Sequence, residues 1–310
     1  MFRHVAIVGL GLIGGSIGLA IAEHIPGAVT TAYDADPAVR RRAAERGLAG
    51  TICETAPEAV RGADLVIFCV PVGAMGDAAR EAAPGLSPDA IVSDVGGSKK
   101  TVSEALAKAL PGHTIIPAHP VAGTEHCGPD AGFSTLFQHR WCIVTPPAGA
   151  DPDATANVAE FWRALGATVE IMDAEHHDLV LAVTSHIPHL IAYTIVGTAS
   201  DLEQVTRSEV IKYSAGGFRD FTRIAASDPT MWRDVFLNNR DAVLEMLDRF
   251  LTDLAQMREA IEVGDGETMF DLFARTRAIR RGIIELGQDD ARADFGRADH
   301  NGGAINRSKR

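Results

Sequence analysis

Short β-branched runs alternate with alanine-rich stretches through the first half of the chain. The runs His4–Val8, Val29–Tyr33, Leu65–Cys69, Ile91–Asp94, Thr114–Pro117, Trp141–Val144 and Thr168–Met172 read as strands. Helical patterns near Gly14–His24, Pro37–Arg46, Ala74–Ala83 and Lys100–Leu110 separate the first five. That alternation predicts βαβ units around a parallel sheet. After about Asp173 the strand signals stop and every segment is helical. The pattern predicts an α/β domain over residues 1–173, of the Rossmann dinucleotide-binding type, followed by an all-α domain over 174–287.

In the helical half, Trp232, Val235, Asn239, Val243, Met246, Phe250, Leu254, Met257 and Ile261 recur at steps of three and four, which predicts one long amphipathic helix. Met269, Leu272, Thr276, Ile279, Ile283 and Leu286 then form a heptad-like seam interrupted by its threonine. Such helices bury their seams against each other or against a second copy, so a homodimer through this half is expected. Residues 288–310 are polar and aperiodic and are expected to be disordered.

Composition narrows the class. With 310 residues and 46% apolar content the chain can bury two cores, which excludes a disordered or fibrous protein. The net charge of -12 disfavours nucleic acid as a partner. Cys53, Cys69, Cys127 and Cys142 show no CxxC spacing, which points to a reducing, cytoplasmic setting and no metal knuckle. Two apolar stretches raise the question of a membrane. Met1–Ala22 begins like a signal peptide, but Gly9, Gly11, Gly14 and Gly15 break it at the spacing of a strand, a turn and a helix. Leu179–Ala199 is long enough to span, yet carries His186, Pro188 and His189 in its middle. A buried core helix, with no membrane association, is the expectation there.

The clearest chemical motif is Gly9-Leu10-Gly11-Leu12-Ile13-Gly14, which follows an apolar strand and opens an alanine-rich helix. In such a turn Gly9 permits the tight bend, Gly11 admits a pyrophosphate to the backbone, and Gly14 lets helix and strand approach. The helix N-terminus then faces the anion, and Leu12 and Ile13 of the motif are counted with the cofactor site. Asp34 stands 20 residues after Gly14, where a carboxylate accepts from ribose hydroxyls and repels a 2′-phosphate. NAD is therefore expected over NADP, and Arg40, Arg41 and Arg42 read as a solvated helix face.

Ligands of open α/β sheets sit at the carboxyl ends of the strands. Those positions hold Val70-Pro71, Asp94-Val95-Gly96-Gly97-Ser98-Lys99 and His119-Pro120-Val121-Ala122-Gly123-Thr124-Glu125. Val70, Pro71 and Gly96 are expected to line the nicotinamide end of the crevice. His119 is the candidate proton acceptor, because an alcohol oxidised by NAD sheds a proton as its hydride leaves. In Ser185-His186-Ile187-Pro188-His189 two histidines share a helix face, and Pro188 cannot donate to Thr184, so a kink is expected. A metal pair or satisfied core histidines are the alternatives. Zinc is disfavoured, because no HExxH and no nearby thiolate appears and His176 and His177 lie over two turns away. Gly216-Gly217-Phe218-Arg219-Asp220-Phe221-Thr222-Arg223 places a guanidinium in a glycine-rich, loop-like segment, suited to a substrate carboxylate or to an ion pair with Asp220. Spacing thus points to NAD-linked oxidation of a small molecule bearing carboxylates.

At these residues the sequence resembles the prephenate/arogenate, or cyclohexadienyl, dehydrogenase family. The resemblance runs to about residue 287 and is most specific at HPVAGTE (119–125), SHIPHLIAY (185–193) and GGFRDFTRIAASDPTMW (216–232). It implies oxidative decarboxylation of prephenate or arogenate to 4-hydroxyphenylpyruvate or tyrosine. It further implies that His119 takes the proton of the ring hydroxyl and that His189 and Arg223 hold substrate, with His186 beside them. Thr124, Glu125, Asp220 and Trp232 would complete the pocket. The family pattern Asp-x-Gly-Ser-x-Lys is altered here, with Gly97 at the serine position and Ser98 one residue later, so Ser98 is the candidate replacement hydroxyl. The family's regulatory and chorismate mutase modules are not expected. A β-hydroxyacid dehydrogenase or imine reductase would share the two-domain plan, but no GxxxKxxxN-type lysine motif occurs between Ala174 and Ser200. A protein that binds NAD without turnover would not need the cluster of His119, His189 and Arg223.

Overall fold

The computed structural model describes residues 2–124, 126–206 and 216–285. Six parallel strands form the main sheet: β1 (His4–Val8), β2 (Val29–Tyr33), β3 (Thr51–Ile52), β4 (Leu65–Phe68), β5 (Ile91–Asp94) and β6 (Thr114–Ile115). Their order is β3-β2-β1-β4-β5-β6, with the central pair β1 and β4 in register from Val5 opposite Leu65 to Val8 opposite Phe68. Successive side chains of a strand face opposite sides. Val5 and Ile7 therefore enter the core that contains Ile17, Ile21 and Trp162, while Ala6 and Val8 enter the one with Val66, Phe68 and Leu106. A strand buried on both faces has no polar alternation, which is why β1 resembles a signal sequence.

Helices α1 (Leu12–His24), α2 (Pro37–Arg46), α3 (Ala56–Val60), α4 (Met75–Ala82) and α5 (Lys99–Ala109) connect these strands. The start of α2 is written locally: Asp36 accepts from the Ala38 N–H at 2.7 Å and Pro37 opens the helix. By contrast, α1 has no capping side chain at Gly11, and Ser98 does not cap α5. Arg40 corrects the expectation of a solvated face. Its guanidinium donates to the Asp34 carbonyl at 2.8 Å and pairs with Glu54 at 2.8 Å, and its side chain is only 13% exposed. Arg42 is an exposed partner of Glu45 and Asp130.

The strands predicted at 141–144 and 168–172 do not extend the main sheet. They are β8 (Trp141–Val144) and β9 (Thr168–Ile171), which join β7 (Ala118–Pro120) in a second sheet, β7 antiparallel to β8 and β8 parallel to β9. Helix α6 (Pro152–Ala164) crosses between β8 and β9. His119 is thus a strand residue, opposite Ile143.

The helical half begins with α7 (Ala174–Leu181), a π-helical turn (Ala182–His186) and α8 (Ile187–Thr206). Pro188 has no N–H for the Thr184 carbonyl, and the widened turn sits where that bond is missing. The glycine-rich segment is helical rather than loop-like, forming α9 (Gly216–Thr222). The long helix predicted from Trp232 onward is two helices, α10 (Pro229–Asn238) and α11 (Arg240–Val263), parted at Asn239; α12 (Gly266–Glu285) follows. Residues 2–247 form one compact unit and the chain from Asp248 a second. The stripe is buried from Trp232 to Met246, but Leu254 and Ile261 are exposed, as are Phe270, Phe273 and Ile279 of α12. Leu286 and the predicted tail lie outside the described residues. The apolar stretch near Leu179–Ala199 is not a buried core helix within one chain, since only 28% of its most apolar window is buried and Val183 and Ile195 are exposed.

Two close approaches set the turn geometry. Gly9 has φ +102°, and a Cβ there would stand 2.5 Å from the Cys69 carbonyl oxygen. A Cβ at Gly18 would overlap the Leu48 carbonyl oxygen, whereas at Gly11 nothing lies within 4 Å. Gly18→Ala is expected to lower unfolding stability by about 1–3 kcal/mol, the cost of overpacking against a fixed backbone atom. Gly11→Ala is expected to keep the wild-type denaturation midpoint. Urea titration of both variants checks the contrast.

Candidate active site

The first βα turn has the close glycine packing and open helix N-terminus that a dinucleotide cradle needs. Gly14 packs so closely on Gly9 that a Cβ would overlap the Gly9 carbonyl oxygen, and space is open at Gly11 over the uncapped start of α1. Asp34, just past β2, accepts from the Leu10 N–H at 2.8 Å and the Asp36 N–H at 3.0 Å, which anchors its carboxylate beside the turn. Arg40 is committed to the Asp34 and Ala35 carbonyls and to Glu54. Leu12 and Ile13 are half-buried, as is Val70, and Pro71 is exposed. Those features suit NAD.

The loop after β5 is built on a buried ion pair. Lys99 and Asp94 are both fully buried and paired, and the Lys99 ammonium also donates to the Ala118 carbonyl at 2.7 Å, next to His119. Burial pushes the Asp94 carboxyl up and the Lys99 ammonium down from their ordinary values, while their mutual attraction opposes both shifts. Gly96 is buried and gives its N–H to Asp94 at 2.7 Å. A Cβ at position 97 would lie 3.8 Å from His119 Nε2, so Gly97 is the residue against that edge of the ring. Ser98 is buried and its hydroxyl has no hydrogen-bond partner. Ser98 makes no hydrogen bond to His119.

His119 Nδ1 lies 2.9 Å from His177 Nε2, and His177 Nδ1 lies 2.8 Å from Asp178 Oδ1. Asp178 also accepts from the backbone N–H groups of Lys99 at 2.7 Å and Lys100 at 3.0 Å, taking the place of a cap on α5. Its own carbonyl accepts from Asn239 Nδ2 at 2.8 Å, and that amide reaches His186 Nδ1 at 3.1 Å. Burial lowers the His119 pKa well below the ordinary histidine value, and the charge of His177 when protonated and that of Lys99 push the same way. Burial also lowers His177, against the pull of Asp178. For Asp178 itself burial acts upward, but the bonds from His177, Lys99 and Lys100 outweigh it and hold the carboxyl below its usual range.

His189 lies on the next turn of α8. Its Nδ1 donates to the Ser185 carbonyl at 2.8 Å, and its ring stacks on Trp232 with centroids 3.6 Å apart. Burial lowers its pKa, and the nearby Arg223 charge lowers it further. Trp232 is buried beneath it. His186 corrects its expected substrate role. It is 2% exposed, edge-on to Trp232 and Phe236, and bonded to Asn239, so it is a satisfied core histidine. Arg223 is exposed and Asp220 half-exposed, and each is engaged within the protein. Thr124 is exposed and accepts from the His126 N–H at 3.2 Å; Glu125 lies outside the described residues. Among the described residues no group of three or more His, Cys, Asp or Glu side chains could hold a metal ion.

Sequence reasoning missed His177, Asp178 and Asn239. Asn239 carried a signal, being an amide on an otherwise apolar helical stripe, where a buried amide needs partners.

The family model for the prephenate dehydrogenase nucleotide-binding domain matches residues 17–171, and that for the prephenate dehydrogenase dimerization domain matches residues 173–275. A cyclohexadienyl dehydrogenase from Zymomonas mobilis is 45% identical over 280 residues, covering 90% of this chain and 96% of that protein. A prephenate dehydrogenase from Bacillus subtilis is 32% identical, covering 90% of this chain and 76% of that protein. The crystal structure of prephenate dehydrogenase from A. aeolicus, in complex with hydroxyphenyl propionate and NAD+, superposes with a TM-score of 0.85 at 30% identity, covering 91% of this chain and 99% of that one.

His186 has its pKa lowered to about 4 by burial, with Asp178 opposing and His177 and His189 assisting. The unfolded chain therefore binds a proton near pH 6.5 that the folded chain refuses until about 4. The stability held at neutral pH is lost as the pH falls through that window, by on the order of 3 kcal/mol from this residue. Urea midpoints of wild type and His186→Gln at pH 7 and 4.5 check this: the acid-induced loss should be smaller in the variant.

Proposed function

Because the chain belongs to the prephenate dehydrogenase family, we propose that it carries out NAD-dependent oxidative decarboxylation of prephenate, arogenate or both, as a dehydrogenase of tyrosine biosynthesis. The observation that carries the reading is His119, a half-buried base with its pKa held well below the ordinary histidine value, whose Nε2 edge faces Gly97 at the carboxyl end of β5. Gly9, Gly11, Gly14 and Asp34 would hold NAD, which would supply the hydride acceptor for the ring carbon that bears the hydroxyl. His119 takes the hydroxyl proton, and the ring carboxylate leaves as carbon dioxide when the ring becomes aromatic. His189 with Nδ1 committed to Ser185 offers Nε2 as an acceptor when neutral, and donates to a carboxylate only as the imidazolium. Arg223, close enough to depress His189, is the permanent cation for a substrate carboxylate.

The dimerization-domain match and the exposed apolar residues of α8, α11 and α12 support a homodimer through the helical half, with the functional division near residue 173. Four free cysteines fit a cytoplasmic location.

Reduced-nicotinamide absorbance with NAD and either prephenate or arogenate tests the reaction, and NADP is expected to support a slower rate. His119→Asn should lower kcat by about 10²–10⁴-fold, the usual worth of a positioned base. Silence with both substrates would overturn the reading. Arg223→Ala should reduce kcat/KM by about 2–4 kcal/mol of transition-state binding. Unchanged kinetics would remove Arg223 from the site.

A further inference from the structure

The ionised carboxylate of Asp178 can only accept, so the nitrogen 2.8 Å away, His177 Nδ1, must carry a proton. In neutral His177 this leaves Nε2 as a bare acceptor. His119 Nδ1, 2.9 Å from that acceptor, must then be the donor. The neutral His119 ring is left with its lone pair on Nε2, the edge that faces Gly97. Every step follows from one anchored carboxylate, because both Asp178 oxygens are also fixed by the N–H groups of Lys99 and Lys100.

We propose that His177, backed by Asp178, is a positioning residue that sets the tautomer of His119 and stabilises the imidazolium formed in turnover. The inference rests on the reaction proposed above. In that step the O–H bond of the ring hydroxyl breaks and its proton forms an N–H bond at His119 Nε2. The Nδ1 proton stays on His119 and strengthens its bond to His177, and nothing is transferred to Asp178. The other groups facing His119 do not duplicate this. Lys99 is neutralised by Asp94, Cys142 on β8 is held protonated by burial, and His186 is neutral and bonded to Asn239.

His177→Phe removes the acceptor, while His177→Gln offers a carbonyl oxygen near the position of Nε2. The phenylalanine variant should lose at least about tenfold in kcat with little change in the KM for NAD. The acidic limb of its kcat/KM profile should move to lower pH, because His119 loses the partner of its charged form. The glutamine variant should recover part of both. In ¹⁵N-histidine-labelled wild-type enzyme, His119 should show a protonated Nδ1 and an unprotonated Nε2. A phenylalanine variant that melts and binds NAD like wild type and keeps both kcat and the acidic limb would overturn the proposal. So would the opposite His119 tautomer, a readout that also decides the matter if the phenylalanine variant does not fold. An enzyme inactive on both substrates yet showing the expected tautomer would overturn the proposed reaction and leave the positioning intact.

Discussion

The side chain and peptide of Asp178 join four things that the site requires. The carboxylate takes the first N–H groups of α5, fixes the proton of His177, and through it orients His119. The residue's carbonyl holds Asn239 at the junction of α10 and α11, which in turn holds His186. Hydrogen bonds to a charged group are worth about 1.5–3 kcal/mol each, and a half-satisfied buried carboxylate is costly. The arrangement therefore favours all contacts together over any subset. Helix α5 begins in the sheet domain and α7 in the helical half, so this charge also fixes how the two halves of residues 2–247 meet around the base.

Such an anchor explains why α5 departs from ordinary capping. Ser98 stands at the position where a serine normally caps, yet its hydroxyl is unpartnered and Asp178 supplies the oxygen from across the chain. A local cap would stabilise α5 alone. The remote one makes the start of α5, and with it Lys99 and the Ala118 carbonyl beside His119, depend on the docking of α7.

What could be read from the sequence was what is encoded within a turn or a strand. The glycine turn, Asp34, most strand positions and His119 depend on neighbours a few residues away, and their chemistry is visible in the spacing. His177 was not legible, because its partner lies 58 residues earlier and meets it only after β7 and α7 pack. Arg40 misled for a similar reason, since a cation on a helix reads as solvated until the following loop supplies Glu54. The unbroken helix predicted from Trp232 followed the apolar period correctly but passed over Asn239, whose amide is occupied with Asp178 and His186. At His186 the period pointed to a site and the burial to a core, because i, i+3 neighbours share a face without sharing a depth.

An acidic chain must still receive a substrate that bears carboxylates. Total charge matters less than what remains uncompensated near the reacting atoms, because close charges act through a poorly screening interior while distant surface ones are screened by salt. Around His119 the buried charges cancel locally: Asp94 against Lys99, and Asp178 against the start of α5. The histidines are kept neutral by burial, so none adds a positive charge before substrate arrives. The base consequently has a bare Nε2 at working pH, and the positive charge it acquires in turnover appears beside the acceptor of His177, which Asp178 backs. A base held weak by burial needs that partner: desolvation keeps it unprotonated before the reaction, and the fixed acceptors stabilise its charge during it.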